Sequence, residues 1–297
     1  MYRNYDNLDN LSKVELTYKK MYIEQTLKKK RETILYPISN KKYTIQEIIP
    51  LLDKIYDDSD PDTNKSQSIH LLQTFISIKN KCNEEIEIKS LFSDVEFDNL
   101  PENIKELYLK KKILKNLYPH IIDFDWIPLV GYLHDLGKIM LLPEFHNLEQ
   151  HFSVGDIYPL GIPFEKSNIY FEKKYHEQNI EFNKYIDNYK NIKGFENLEM
   201  TISHDYYLYK VLKETNIPKE GLYMIRFHSF YSFHTPKNNK RGYTKYANKI
   251  DWINLPLLKI LQKADLYSKS RDVPNFEDYK EEIYNLINKY CPGKLKW

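Results

Sequence analysis

The side chains best suited to chemistry lie in the segment FDWIPLVGYLHDLGKIMLL, residues 124–142. Its main ionisable groups are His134, Asp135 and Lys138, set among Leu, Val, Ile and Met. A carboxylate buried in such surroundings is costly unless it is partnered. A metal ion is one partner, and it also accounts for the adjacent imidazole. A His and carboxylate set suits iron, manganese or zinc better than a thiophilic metal. The alternative is a buried ion cluster of His134, Asp135 and Lys138 that ties helices together.

Other His and Asp residues extend the pattern. Asp265 falls one helical turn after Leu261 and two after Leu258, on the same apolar face. Its plainer reading is an i,i+4 ion pair with Lys269, a weak contact if exposed. His204 and Asp205 repeat the His-Asp pair in ISHDYYLYKVL. His228 sits among large aromatics in MIRFHSFYSFH, where a satisfied core histidine is the simpler expectation. His70 shares its stripe with Ser66, Gln73, Thr74 and Ser77, which would also suit a wet face.

These residues must be held by helices, because helical periodicity dominates the chain. The pattern predicts helices over 8–30, 44–56, 68–79, 103–118, 124–142, 196–214, 219–232, 253–270 and 276–290. The turn Asp57-Asp58-Ser59-Asp60-Pro61-Asp62 ends the second of them, since Asp, Ser and Pro favour turns. No alternating pattern is long enough for a large sheet. The expected fold is mainly α, one domain over 1–297 without internal repeats. Residues 80–119 are denser in charge. Asn99-Leu100-Pro101-Glu102 starts a helix there, and the segment is expected to be a charged surface insertion with little apolar area for the core.

Composition removes several functional classes. Of the 297 residues 41% are hydrophobic and 14% aromatic, enough for a substantial core. Glycine is scarce, with no G-x-G-x-x-G and no GK[ST], which disfavours Rossmann and P-loop folds. A formal net charge of +2 gives no broad basic field for nucleic acid. Cys82 and Cys291 are the only cysteines, too few for a disulfide framework or zinc ribbon. No signal peptide or membrane span is legible, so a cytoplasmic monomer is expected.

The order His, His-Asp, His, His, Asp on successive helices resembles the HD-domain superfamily and, in detail, the myo-inositol oxygenase family. The matching segments are YRNY at 2–5, DDSDPD at 57–62, HLLQT at 70–74, LVGYLHDLGK at 129–138 and VGDIYPLG at 154–161. SHDYYLY at 203–209, YMIRFHSFY at 223–231, KADLYSK at 263–269 and NKYCPGKLKW at 288–297 complete the series. The likeness thus implies an HD-domain-like helical bundle across nearly the whole chain outside 80–119.

Carried over position by position, it implies two iron ions as an Fe(II)/Fe(III) pair. His70, His134 and Asp265 would hold one, His204 and His228 the other, and Asp135 would bridge them. Myo-inositol and O2 would be the substrates, and a four-electron ring cleavage would give D-glucuronate. Lys138 would add positive charge beside a forming alkoxide. Polyol contacts are implied for Arg3, Asp57, Asp58, Ser59, Gly155, Asp156, His228, Ser229 and Lys269. Two departures stand out: the gap from His70 to His134 is lengthened by the insertion, and the chain begins almost at Arg3. The competing reading is a metal-dependent HD-domain phosphohydrolase, which can use a similar His/Asp set. Asp57, Asp58 and Asp156 would be poor company for a phosphate. A catalytically silent binding protein is a third reading, but every ligand position and Lys138 carry suitable residue types.

Overall fold

A computed structural model describes residues 12–33, 40–59, 66–184, 191–237, 240–267 and 273–297. Thirteen α-helices appear among them. They are α1 (Lys13–Glu24), α2 (Leu27–Glu32), α3 (Ile45–Leu52), α4 (Gln67–Lys81), α5 (Asp94–Asp98), α6 (Glu102–Lys111) and α7 (Leu114–Leu117). After them come α8 (Trp126–Leu133), α9 (His204–Leu212), α10 (Lys219–Phe227), α11 (Tyr231–His234), α12 (Lys249–Tyr267) and α13 (Lys280–Tyr290). The sheet content among the described residues is one antiparallel pair, β1 (Lys42–Tyr43) with β2 (Leu295–Lys296). The mainly helical architecture therefore matches the periodicity.

The core is a helical layer in which α4 packs on α8 and α12, while α10 packs on α9 and α12. Side-chain contacts fix the starts of two of these helices. Ser68 at the start of α4 donates its backbone N–H and its hydroxyl to Asp53 at the end of α3, at 2.9 and 2.7 Å. An acidic group from the preceding helix thus supplies the oxygen that an N-cap side chain would ordinarily provide. In α12 the Asn248 side chain accepts from the N–H groups of Ile250 and Asp251 at 2.7 and 3.1 Å.

Several predicted helices are interrupted, those over 103–118, 196–214 and 219–232 among them, and two of the breaks have a local cause on view. The 8–30 helix splits at Gln25 and Thr26, where Thr26 caps α2 through its hydroxyl and Gln25 turns inward to bond His151 O and Ile202 O. The 124–142 helix stops at Leu133 and continues as a 3-10 helix over Leu136–Leu141. Gly137 explains the change, because a Cβ there would lie 2.1 Å from the carbonyl oxygen of His204. The chain tightens at that point so that two backbones can approach.

Residues 80–119 depart from the surface-insertion expectation. Ile88, Leu91, Phe92, Phe97, Leu100, Ile104, Tyr108, Leu114, Leu117 and Tyr118 are all buried within the single hydrophobic core. Charge density obscured this, because the apolar residues are spread over four short helical pieces with no common period. The segment also completes α12. Pro256 lies inside that helix and has no N–H to offer the carbonyl four residues back, that of Trp252. The Tyr108 hydroxyl donates to that carbonyl instead, and Tyr118 donates to Ile253 O at 2.5 Å. Among the described residues no helix is long and apolar enough to cross a membrane.

Candidate metal centre

Five helices bring their ends to one buried point. His70 lies in the first turn of α4, and His134 follows the last residue of α8. His204 opens α9 behind the Ser203 cap, His228 follows the last residue of α10, and Asp265 lies near the end of α12. Helix ends suit this task, because side chains there can be aimed without breaking the internal hydrogen-bond ladder. Asp135 occupies the junction between α8 and the 3-10 helix.

The two oxygens of Asp135 divide the histidines. Oδ2 lies 3.4 Å from His134 Nε2 and 3.6 Å from His70 Nε2. Oδ1 lies 3.2 Å from His204 Nε2 and 3.7 Å from His228 Nε2. Asp265 Oδ1 joins the first group, 3.0 Å from His70 Nε2 and 3.8 Å from His134 Nε2. All four imidazoles thus present Nε2 inward. Their Nδ1 atoms, where the contacts are defined, face fixed acceptors. His134 Nδ1 donates to Gly131 O at 2.8 Å, and His204 Nδ1 to Ser153 O at 2.7 Å. His228 Nδ1 faces Ile225 O and Asp205 Oδ1, each at 2.8 Å. Acceptors at Nδ1 hold the ring orientation and leave Nε2 as the donor to a metal.

The electrostatics fit a site built for cations. Burial pushes His134 down to about 4, against the pull of Asp135 and Asp265. Burial alone would raise Asp135, but His134, Lys138 and hydrogen bonds from His204 and His228 hold it well below the carboxylate range. His228 rises to about 10, since Asp205 and Asp135 outweigh its burial. His204 Nε2 and His228 Nε2 stand 3.0 Å apart with Asp135 Oδ1 between their approaches. Two converging imidazole nitrogens at that separation require a proton or a metal ion, and metal binding would displace the proton. The donor set of imidazoles and carboxylates fits a metal ion such as iron, manganese or zinc.

Lys138 lies beside this cluster, its ammonium 2.7 Å from Asp57 Oδ2 and 2.8 Å from Asp135 Oδ2. Those two carboxylates outweigh its burial and hold it charged. Asp57 in turn accepts from the backbone N–H and hydroxyl of Ser59, at 2.8 and 2.6 Å. Asp57, Ser59, Gly155 and Ser229 line the same narrow cavity as the His and Asp donors. Gly155 is in the left-handed region at φ 88°, and a Cβ there would meet Met21.

Not every anticipated contact converges. Asp58 faces Lys13 at 3.3 Å, and Asp156 accepts from the Tyr18 hydroxyl at 2.7 Å. Neither lines the cavity. Arg3 and Lys269 lie outside the described residues. Sequence reasoning assigned no role to three supporting groups. The Tyr231 hydroxyl donates to Asp265 Oδ2 at 2.8 Å, Asp205 orients His228, and His234 Nε2 donates to His228 O at 2.6 Å. Tyr231 is one residue short of a turn beyond His228, and that spacing was the available signal.

A family model described as myo-inositol oxygenase matches residues 11–96 and 87–297. Inositol oxygenase of Danio rerio is 34% identical over 304 aligned positions, spanning 100% of this chain and 93% of the relative. Inositol oxygenase 2 of Arabidopsis thaliana is 35% identical, spanning 100% of this chain and 83% of its own length. The inositol oxygenase of Dictyostelium discoideum is also 35% identical, with 100% and 89% covered. With matches that run the length of the chain on both measures, this protein belongs to the myo-inositol oxygenase family.

Proposed function

We propose that the chain is an inositol oxygenase that uses O2 to cleave myo-inositol to D-glucuronate, with two iron ions held by His70, His134, Asp135, His204, His228 and Asp265. One observation carries the reading. The two oxygens of Asp135 face separate donor groups, His70, His134 and Asp265 on one side and His204 and His228 on the other. A single carboxylate in that position suits a bridge between two ions. When bound, the iron pair supplies the redox chemistry toward O2 and lowers the pKa of a coordinated hydroxyl.

The chain's own residues handle the polyol. The side with two histidines has fewer protein donors, so a metal held there would have more room for substrate hydroxyls. The Lys138 ammonium provides fixed positive charge where an alkoxide forms, and the ion pair with Asp57 keeps it aimed. Asp57, Ser59, Ser229 and the backbone at Gly155 offer donors and acceptors suited to an uncharged hexol. The reading includes a monomeric cytoplasmic enzyme, in keeping with two free cysteines. Aerobic incubation of iron-loaded protein with myo-inositol, following O2 uptake and uronate together, tests it. Uronate formation coupled to O2 loss is expected. Absence of both with iron fully bound would overturn the proposal.

A further inference from the structure

Among the described residues, Glu96 supplies the carboxylate of a largely buried cluster with Lys259 and Arg241. It is the N3 residue of the capping box that opens α5: Ser93 N donates to its Oε2 at 3.1 Å, and Glu96 N donates to Ser93 Oγ at 3.2 Å. Its other oxygen, Oε1, accepts from Lys259 Nζ at 2.9 Å and lies 3.5 Å from Arg241 Nη2. The side chains of Lys259 and Arg241 are each 5% exposed, and that of Glu96 is 16% exposed. Without Glu96, the buried Lys259 ammonium would lose the carboxylate it bonds.

Arg241 carries the contact onward. Its Nη1 donates to Phe233 O at 2.9 Å and to His234 O at 3.0 Å, which closes the end of α11. Its guanidinium also lies 5.7 Å from the ring centre of Phe92, a second residue of the 80–119 segment. The helix α11 is a single turn, too short to hold its shape by internal bonds. From that turn Tyr231 bonds Asp265, and His234 bonds the backbone of His228. The contacts therefore run from Glu96 through Arg241 and α11 to one donor of each metal-facing group.

We propose that Glu96 is a positioning residue: by holding Arg241 against the carbonyls of α11 it fixes the Tyr231 hydroxyl on Asp265 and the backbone of His228. The 80–119 segment is then a brace for the metal centre. This rests on the assignment of His228 and Asp265 as metal donors.

The test compares Glu96→Gln, the double variant Glu96→Gln with Lys259→Met, and the unaltered protein. Amide exchange over residues 228–236 is measured on metal-free protein, together with melting temperature and iron retention against a chelator. Glu96→Gln is expected to speed exchange over that segment by about tenfold or more. Iron retention should weaken by about tenfold, as for a lost outer-shell contact. The double variant no longer buries an unpaired lysine. It should recover most of its melting temperature yet keep the fast exchange at 228–236. If exchange there stays at the unaltered rate while the melting temperature falls, Glu96 is only a structural counter-ion and the proposal fails. Recovery of both properties in the double variant would overturn it equally. Should the unaltered protein hold no iron, the functional reading fails, and the exchange data still decide the role of Glu96.

Discussion

The Lys138 ammonium and the Asp57 carboxylate form a 2.7 Å ion pair whose side chains are 8% and 5% exposed. Removing Lys138 leaves the Asp57 carboxylate buried without its counter-ion, at a cost of about 3–5 kcal/mol. Lys138→Ala is therefore expected to lose turnover and also to lower stability by that order. Asp57→Asn in the same chain should restore much of the stability and none of the turnover. Denaturant melts of the two single variants and the double variant form the cycle that checks this. An additive cycle would mean the pair is not coupled.

Gly137 provides a probe of the His204 side that leaves every donor residue unsubstituted. A methyl group at 137 would sit 2.1 Å from His204 O, and backbone has no rotamer by which to yield. Gly137→Ala should displace the start of α9 and reduce iron to roughly one ion per chain, since donors must hold near their ideal distances. Metal analysis after desalting reads the ratio. Full retention would show that His204 tolerates the shift.

Lys259, which is not among the metal donors, predicts a pH dependence of its own. Burial, with Arg241 and Lys263 nearby, outweighs the attraction of Glu96 and brings its ammonium from 10.5 to about 8. Between those values the unfolded chain holds a proton that the folded chain has released. Stability attributable to Lys259 is thus full above 10.5 and is lost as the pH falls through 8. Relative to Lys259→Met, the native protein should gain stability from pH 8 to pH 10.5, by at most about 3 kcal/mol at about 1.4 kcal/mol per pKa unit. Parallel urea titrations of the two proteins across that window would show the gain. A constant difference would refute it.

Tyr108 tests the tie between the 80–119 segment and α12. Tyr108→Phe keeps the ring and removes the hydroxyl that serves the Trp252 carbonyl. An unsatisfied buried carbonyl costs about 1–3 kcal/mol, so the melting temperature should fall without loss of secondary structure. Replacing 82–117 by a short linker should be far more damaging, because it exposes the core faces of α12. Circular dichroism melts distinguish the two. A linker variant as stable as the native chain would return the segment to the surface role first expected of it.

His134 and Asp135 were legible as ionisable groups in an apolar run between Leu133 and Leu136, whereas His70, on a polar stripe, and His228, among aromatics, joined them only through the family resemblance. Helix existence was legible from periodicity. The break at His134–Asp135 was not, since it depends on the approach of His204 O to Gly137, which lies far off in sequence. Nor was the burial of Phe92, Phe97 and Tyr108, whose neighbours are mostly charged and whose partner is a proline-interrupted helix. Asp58 and Asp156 share their motifs with residues that reach the cavity. Which side of a turn points inward is set by Lys13 and Tyr18, and no spacing rule supplies that.

The converging His and Asp side chains are strung from residue 70 to residue 265, with Asp265 last. No early fragment of the chain can gather both groups, so during synthesis the centre cannot form until α12 has left the ribosome. A metal that binds only the assembled set would then act on the whole fold at once. Free metal a thousandfold above its dissociation constant would add about 4 kcal/mol to folding. Scarcity of that metal would be felt first as a shorter-lived protein, and only afterwards as a slower one.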